Sequence, residues 1–441
     1  MTITFPRSIW GRALLAAMVA AALLVMPAVA DEPGPDRLAA ARKAYLEGKY
    51  AEAEEAFRGL GQTPEAVIGQ ARSQEATGHR EKALQIITEG IKSQSKSALL
   101  HAESARLAWQ GGDQAAAEQA VKQALAIDAD QPLARWVQSE LCVAGGQLTE
   151  ASQIYQRIVE YFNQHPVRDP EQLQWIGLAA AEYARWNRLS DQFHFLVNDF
   201  YPDLLAIEPQ FWRAHYEAGR LFAEKYNFAE AAKEFEAGLV INPQAAEVHA
   251  AAGQLALEEF EVKAAAAAAD RALEINPQLL EAWHLRADIQ FANFEPRAAV
   301  GFLNDALKLD PQSEATLGRL AAAYLAVDGL QRTGGETRFG KLASEVEKRN
   351  AHAGQFYQAL ADALDRLRRW PAAARYYQEA ITRMPQLVPP RGRLGMMLMR
   401  LGEEPQAKQV LAEAFEIDPF NVRVNNTLKV LEVLDGYETL E

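Results

Sequence analysis

One cysteine, Cys142, stands in a chain of 441 residues, so no intramolecular disulfide can form. Histidine is sparse as well. The closest two of the eight, His194 and His215, lie far apart in sequence. No His-x-x-x-His, no His-Glu-x-x-His and no cysteine pair is available, which removes every local metal motif. No Gly-x-Ser-x-Gly elbow occurs. Gly335 to Lys341 has the spacing of a phosphate loop, but Leu342 stands where a magnesium-holding Ser or Thr belongs, and no strand precedes it. Basic residues are in deficit, 45 against 59 acidic, and the net charge of −14 disfavours nucleic acid or an anionic membrane as the main partner. No stretch alternates polar and apolar residues as a strand would. After residue 30 no apolar run is long enough to cross a bilayer. These absences leave no cofactor, no metal and no catalytic set to name, and the expectation is a protein that is not an enzyme.

The segment 1–30 reads as an address. Arg7 and Arg12 precede the uncharged run Ala13 to Met26, and Ala28-Val29-Ala30 forms a small-x-small cleavage site. This is the pattern of a secretory signal peptide. It predicts export, to a bacterial periplasm or beyond, with residues 31–36 as a flexible linker and no membrane span after cleavage.

What the chain has in abundance is repetition. Pro209, Pro243, Pro277 and Pro311 recur at one even interval, and Pro385 and Pro419 repeat it. Each ends a similar run, such as Val-Ile-Asn-Pro or Lys-Leu-Asp-Pro. Early in each unit stands a small residue: Gly219, Gly253, Ala287, Ala361 or Gly395. A second small one stands past the middle of the unit: Ala231, Ala265, Ala299, Ala373 or Ala407. Small side chains at both places let two antiparallel helices approach closely. The Asn/Asp-Pro step stops the second helix, because the residue before proline is pushed out of the helical region. Earlier units at 34–63, 64–97, 98–131 and 132–165 keep the period without the proline. A longer unit at 166–211 is rich in aromatics. Extra residues between Asp328 and Gly340 lengthen a later one.

The interval, about 34 residues, is that of a helix–turn–helix unit and resembles the tetratricopeptide repeat. The resemblance covers nearly all of the chain after position 34. It implies an all-α, right-handed superhelical solenoid of about eleven units over 37–421, closed by a capping helix at 422–435 and a tail at 436–441. In such arrays the first helices line a concave face. Here that face predicts Arg213, Tyr216, Arg220, Gln254, His284, Asp288 and Phe291 as partner-binding residues, for a protein or peptide held in the groove. His215 and His249 fall at equivalent places in neighbouring units and read as packing residues rather than a metal pair. The implied function is an exported, non-catalytic interaction scaffold.

A narrower resemblance lies at the C-terminal end. Met396 to Gly402, Ala414 to Leu431 and Tyr437 to Thr439 are similar to the junction in exported bacterial proteins where a tetratricopeptide half leads into a gluzincin zinc peptidase. The alternative it implies is a substrate-positioning half of such a peptidase, whose zinc motif is not in this sequence.

Overall fold

The computed structural model describes residues 35–329 and 337–434. The leader at 1–30, most of the linker, part of the insertion after Asp328 and the tail at 436–441 lie outside the described residues. The first helix, Pro35–Leu46, begins inside the segment expected as linker.

Among the described residues the chain is helical, without strands. It forms eleven antiparallel helix pairs, from Pro35–Leu46 with Tyr50–Arg58 to Pro389–Arg400 with Glu404–Ile417. The single helix Val422–Leu434 follows. The pairs touch where the small residues fall. A β-carbon added at Gly219 would lie 2.5 Å from the Phe235 ring, so glycine there is a condition of the crossing. In the final helix Val424 and Leu431 are buried on Leu411 and Ala414, whereas Leu434 points outward and is half exposed. The six alanines 264–269 sit inside the helix Val262–Ile275.

The aromatic unit is an enlarged core. Its second helix runs as Asp191–Phe195, a π-helical turn Leu196–Phe200, and Tyr201–Ile207. Phe200, Tyr201, Phe211 and Trp212 are buried, and Phe200 meets Tyr201 edge to face at 5.4 Å. Extra ring area needs extra helix to cover it, which accounts for the unit's length.

Two turns inside the repeat unit recur. The turn between the two helices of a pair has one residue with positive φ. It is glycine at Gly48, Gly78, Gly112, Gly146 and Gly402, but Arg188, Tyr226, Phe260, Phe294 and Arg368 elsewhere. The turn between pairs is an Asx turn. The side-chain oxygens of Asn242, Asn276, Asp310 and Asn350 each accept the backbone N–H two residues on, at 2.8–2.9 Å.

The superhelix stacks on itself. Asn276 Nδ2 donates to the Glu75 carbonyl, 201 residues away, and Asn350 Nδ2 donates to the Val143 carbonyl, 207 away. Asn242 Nδ2 donates to Tyr50 Oη, 192 away. Lys225 Nζ donates to Asp418 Oδ2 across 193 residues. Each contact joins the turn within one pair to the turn between pairs one superhelical turn later, which is about six repeats of about 34 residues. A β-carbon at Gly78, Gly112 or Gly146 would lie 2.6–2.7 Å from Pro277, Asp310 or Asn350. The glycines of the first coil thus serve both backbone conformation and the close approach of the second coil.

Candidate functional site

The first helices of the pairs face the axis of the coil, and charged side chains meet there. Arg72 pairs with Glu103 at 2.9 Å and reaches Glu171 on the helix Pro170–Trp186, about half a turn away. Arg106 binds Glu103 and Glu75, both at 2.6 Å. In the second coil Arg366 pairs with Glu258 at 2.6 Å, again about half a turn apart. These pairs occupy the axis at both levels. Burial raises the cost of the Glu103 charge, but Arg106 and Arg72 outweigh it and hold the carboxyl well below the usual range.

Between these two levels the axial channel is marked by Tyr216, Arg220 and Gln254, which solvent reaches. Tyr216 is half-buried, with the Arg220 guanidinium 5.5 Å from its ring centre. The Arg220 side chain remains 53% exposed while pairing with Glu217 at 3.2 Å. The charges of Glu217, Glu247 and Glu281 act on Tyr216, that of Arg220 acts on Glu140, and Glu182 pairs with Arg185 at 2.5 Å. Carboxylates outnumber arginines here. Burial and the neighbouring charge of Glu182 push the Glu140 carboxyl up to about 7, although Tyr155 donates a hydrogen bond to it at 3.2 Å. Burial also raises Glu217 and Glu247.

The seven residues expected on the concave face divide into two groups. Tyr216, Arg220 and Gln254 line this channel with partial exposure. Arg213 lies deeper: its guanidinium is 4.4 Å from the Trp212 ring centre and donates to Tyr45 Oη at 2.9 Å. His284, Asp288 and Phe291 are buried and leave the groove set. His284 Nε2 lies 2.7 Å from Thr316 Oγ1, and Asp288 pairs with Arg319 at 2.9 Å. Phe291 packs in a core with Leu317, Phe356 and Leu360. The cause is curvature. Beside the lengthened unit, the helix Gly354–Arg366 folds back against both Glu314–Asp328 and Leu280–Ala292, and covers the face that would otherwise line the groove.

His215 Nδ1 lies 2.7 Å from Glu234 Oε2, and His249 Nε2 lies 3.0 Å from the Pro243 carbonyl. No group of three or more potential ligands that could hold a metal ion occurs among the described residues. Cys142 is buried, and its thiol is pushed up to about 11 by burial and by Glu150 and Glu118. Outside the channel an open groove of about 450 Å³ runs between Phe228–Ile241 and Ala246–Glu258, over Phe235, Leu239 and Leu255.

The family model for the tetratricopeptide repeat matches residues 68–132 and 104–166, over the same helix pairs seen in the fold. Over that stretch the chain is similar to the tetratricopeptide repeat family. In this family, helix pairs of this kind stack into interaction scaffolds. Solved structures align along most of the chain at low identity. Yeast Tom70 is 13% identical, covering 91% of this chain and 88% of that one, with a TM-score of 0.41. The human IFIT1 dimer with m7Gppp-AAAA is 12% identical, covering 93% and 96%, at 0.42. The APC/C hetero-tetramer Cut9-Hcn1 is 11% identical, covering 90% and 96%, at 0.37. Similarities this loose bear on neither partner nor activity. No curated protein matches the sequence.

Proposed function

We propose that this protein is an exported, non-catalytic scaffold that holds a basic, extended polypeptide segment in its axial channel. The observation that carries the reading is the partly exposed stretch around Tyr216, Arg220 and Gln254, where Glu217 pairs with Arg220 and the charges of Glu217, Glu247 and Glu281 act on Tyr216. An aromatic ring and a guanidinium give such a channel anchoring groups, and the carboxylates set the sign of its occupant. An extended segment fits a narrow channel better than a folded domain does.

A photo-crosslinker placed at Tyr216 should capture a partner from envelope extracts, and mass spectrometry should place the crosslink in a Lys- or Arg-rich segment. Gln254→Lys with Glu281→Lys should weaken that capture more than tenfold while leaving the melting curve nearly unchanged. Undiminished capture by the double variant would overturn the channel reading. Export is tested separately: periplasmic material should begin at Asp31. The non-catalytic reading requires that the purified chain bind no stoichiometric zinc and show no chelator-sensitive cleavage of casein.

A further inference from the structure

Three successive repeats place an aromatic residue at the positive-φ turn position. They are Tyr226, Phe260 and Phe294, with φ of 57°, 64° and 60°. Bulky residues pay for this conformation, and glycine takes the same place in five other units. A strained position kept aromatic in three neighbouring units calls for a use of the ring.

Two of the three rings show that use. Arg423 lies 5.1 Å and Arg393 5.9 Å from the centre of Tyr226. Arg368 lies 5.2 Å from the centre of Phe294. All three arginines come from the second coil. Such distances give the attraction between a guanidinium and an aromatic face. Phe260 stands between these two turns. No cation covers it among the described residues, and it is 85% exposed. Its neighbours in the turn, Glu259 and Glu261, are both exposed and acidic.

The turns of the first six units meet the second coil. Gly48, for instance, faces Asn242, and Lys225, beside Tyr226, holds Asp418. The turn of the seventh unit, which carries Phe260, has no later described turn above it. Two residues before the ring, Glu258 pairs with Arg366 at the axis, while Phe260 itself faces solvent.

We propose that Phe260 is a docking platform for an arginine of a basic partner polypeptide, seated between Glu259 and Glu261. The internal precedent sets the geometry: a guanidinium stacked above the ring, as at Tyr226 and Phe294. The two glutamates set the charge of the partner. Arginine fits better than lysine, because its flat, weakly hydrated guanidinium stacks while an ammonium keeps its water. This inference does not rest on the channel reading.

The test uses the full chain and two labelled probes, a tetra-arginine peptide and its tetra-lysine counterpart, in fluorescence anisotropy at physiological salt. The arginine peptide should bind at least threefold more tightly than the lysine one. Phe260→Gly should abolish that preference and, because glycine relieves the turn, raise the melting temperature. Phe260→Trp should keep or increase the preference. Glu259→Gln with Glu261→Gln should weaken both peptides alike. Gln254→Lys, inside the channel, should leave the preference intact, so that failure of one site is distinguishable from failure of the other. An unchanged arginine preference in Phe260→Gly, equal binding of the two peptides, or a Phe260-dependent self-association in sedimentation would each overturn the proposal.

Discussion

Lys225 and Asp418, separated by 193 residues, form a buried ion pair at 2.9 Å that ties the second coil of the superhelix to the first. The backbone adds a bond beside it, from Val422 N–H to the Lys225 carbonyl. Burial holds the Asp418 carboxyl above its ordinary range even with the ammonium alongside. The desolvation cost therefore nearly matches the attraction, and the pair contributes more to where the coils meet than to net stability.

Lys225→Met alone should destabilise the protein by about 3–5 kcal/mol, because it strands a buried carboxylate. The double variant Lys225→Met with Asp418→Leu should recover most of that loss. Urea unfolding of the single and double variants checks this. A double variant as unstable as the sum of the two single ones would refute the account.

Gly78 and Gly402 occupy the same turn position in different surroundings. Both have positive φ, but only Gly78 has the second coil pressed on it, with Pro277 Cδ 2.6 Å from a built β-carbon. Gly402→Ala should cost about 1 kcal/mol for the left-handed backbone alone. Gly78→Ala should cost about 1–3 kcal/mol more, since the clash is with a ring that has nowhere to move. Equal losses in thermal melts would mean that the coils are not in contact at Gly78.

Glu103 sits between two arginines, with its side chain 1% exposed. Glu103→Gln keeps the shape and removes the charge, which leaves Arg72 and Arg106 sharing fewer carboxylates in a buried site. The expected loss is about 3 kcal/mol at neutral pH. The lowered carboxyl implies stability present above the unfolded value and lost as acid protonates it. The gap between wild type and Glu103→Gln should therefore narrow in strong acid.

Glu140 titrates in the opposite sense. Its folded value of about 7 lies above that of an unfolded glutamate, so the native state binds more protons than the unfolded state between about pH 4.5 and 7. The contribution is fully present below that window and is lost as pH rises through it. Glu140→Gln should match the wild type near pH 4 and be more stable by about 1–3 kcal/mol at pH 8, as read from melting temperatures across that range. A difference that does not vary with pH would contradict the assignment.

The repeat was legible because its signals are local. The small residues at Gly219 and Ala231 and the Asn/Asp-Pro steps act within one helix pair, and the period exposes them. The channel was only partly legible. Tyr216 and Arg220 fall where an evenly curved array would put them. Phe291, Asp288 and His284 do not, because the lengthened unit after Asp328 draws the helix Gly354–Arg366 over them. Curvature is a property of several units together, and no single unit records it. The contacts between coils were missed for a related reason. Asn242 and Asn276 read as helix stops in their Asn-Pro steps, which they are, while Asn350, followed by Ala351, carried no such signal. Their choice of asparagine, whose amide can donate to a distant carbonyl while its oxygen closes the local turn, was the available clue. The aromatics at Tyr226, Phe260 and Phe294 were visible at the repeat interval, but their strained backbone was not.

An open solenoid can gain or lose a repeat and remain the same kind of object, because each unit answers only to its neighbours. This one is threaded more like a bolt. Duplicating residues 98–131 would advance everything after them by one unit, so that Tyr50 would face Glu208 instead of Asn242, and Gly78 would face Asn242 instead of Asn276. Every matched turn of the upper coil would sit one thread out of register with the lower. The number of repeats is therefore part of the specification of the molecule, and so is their order.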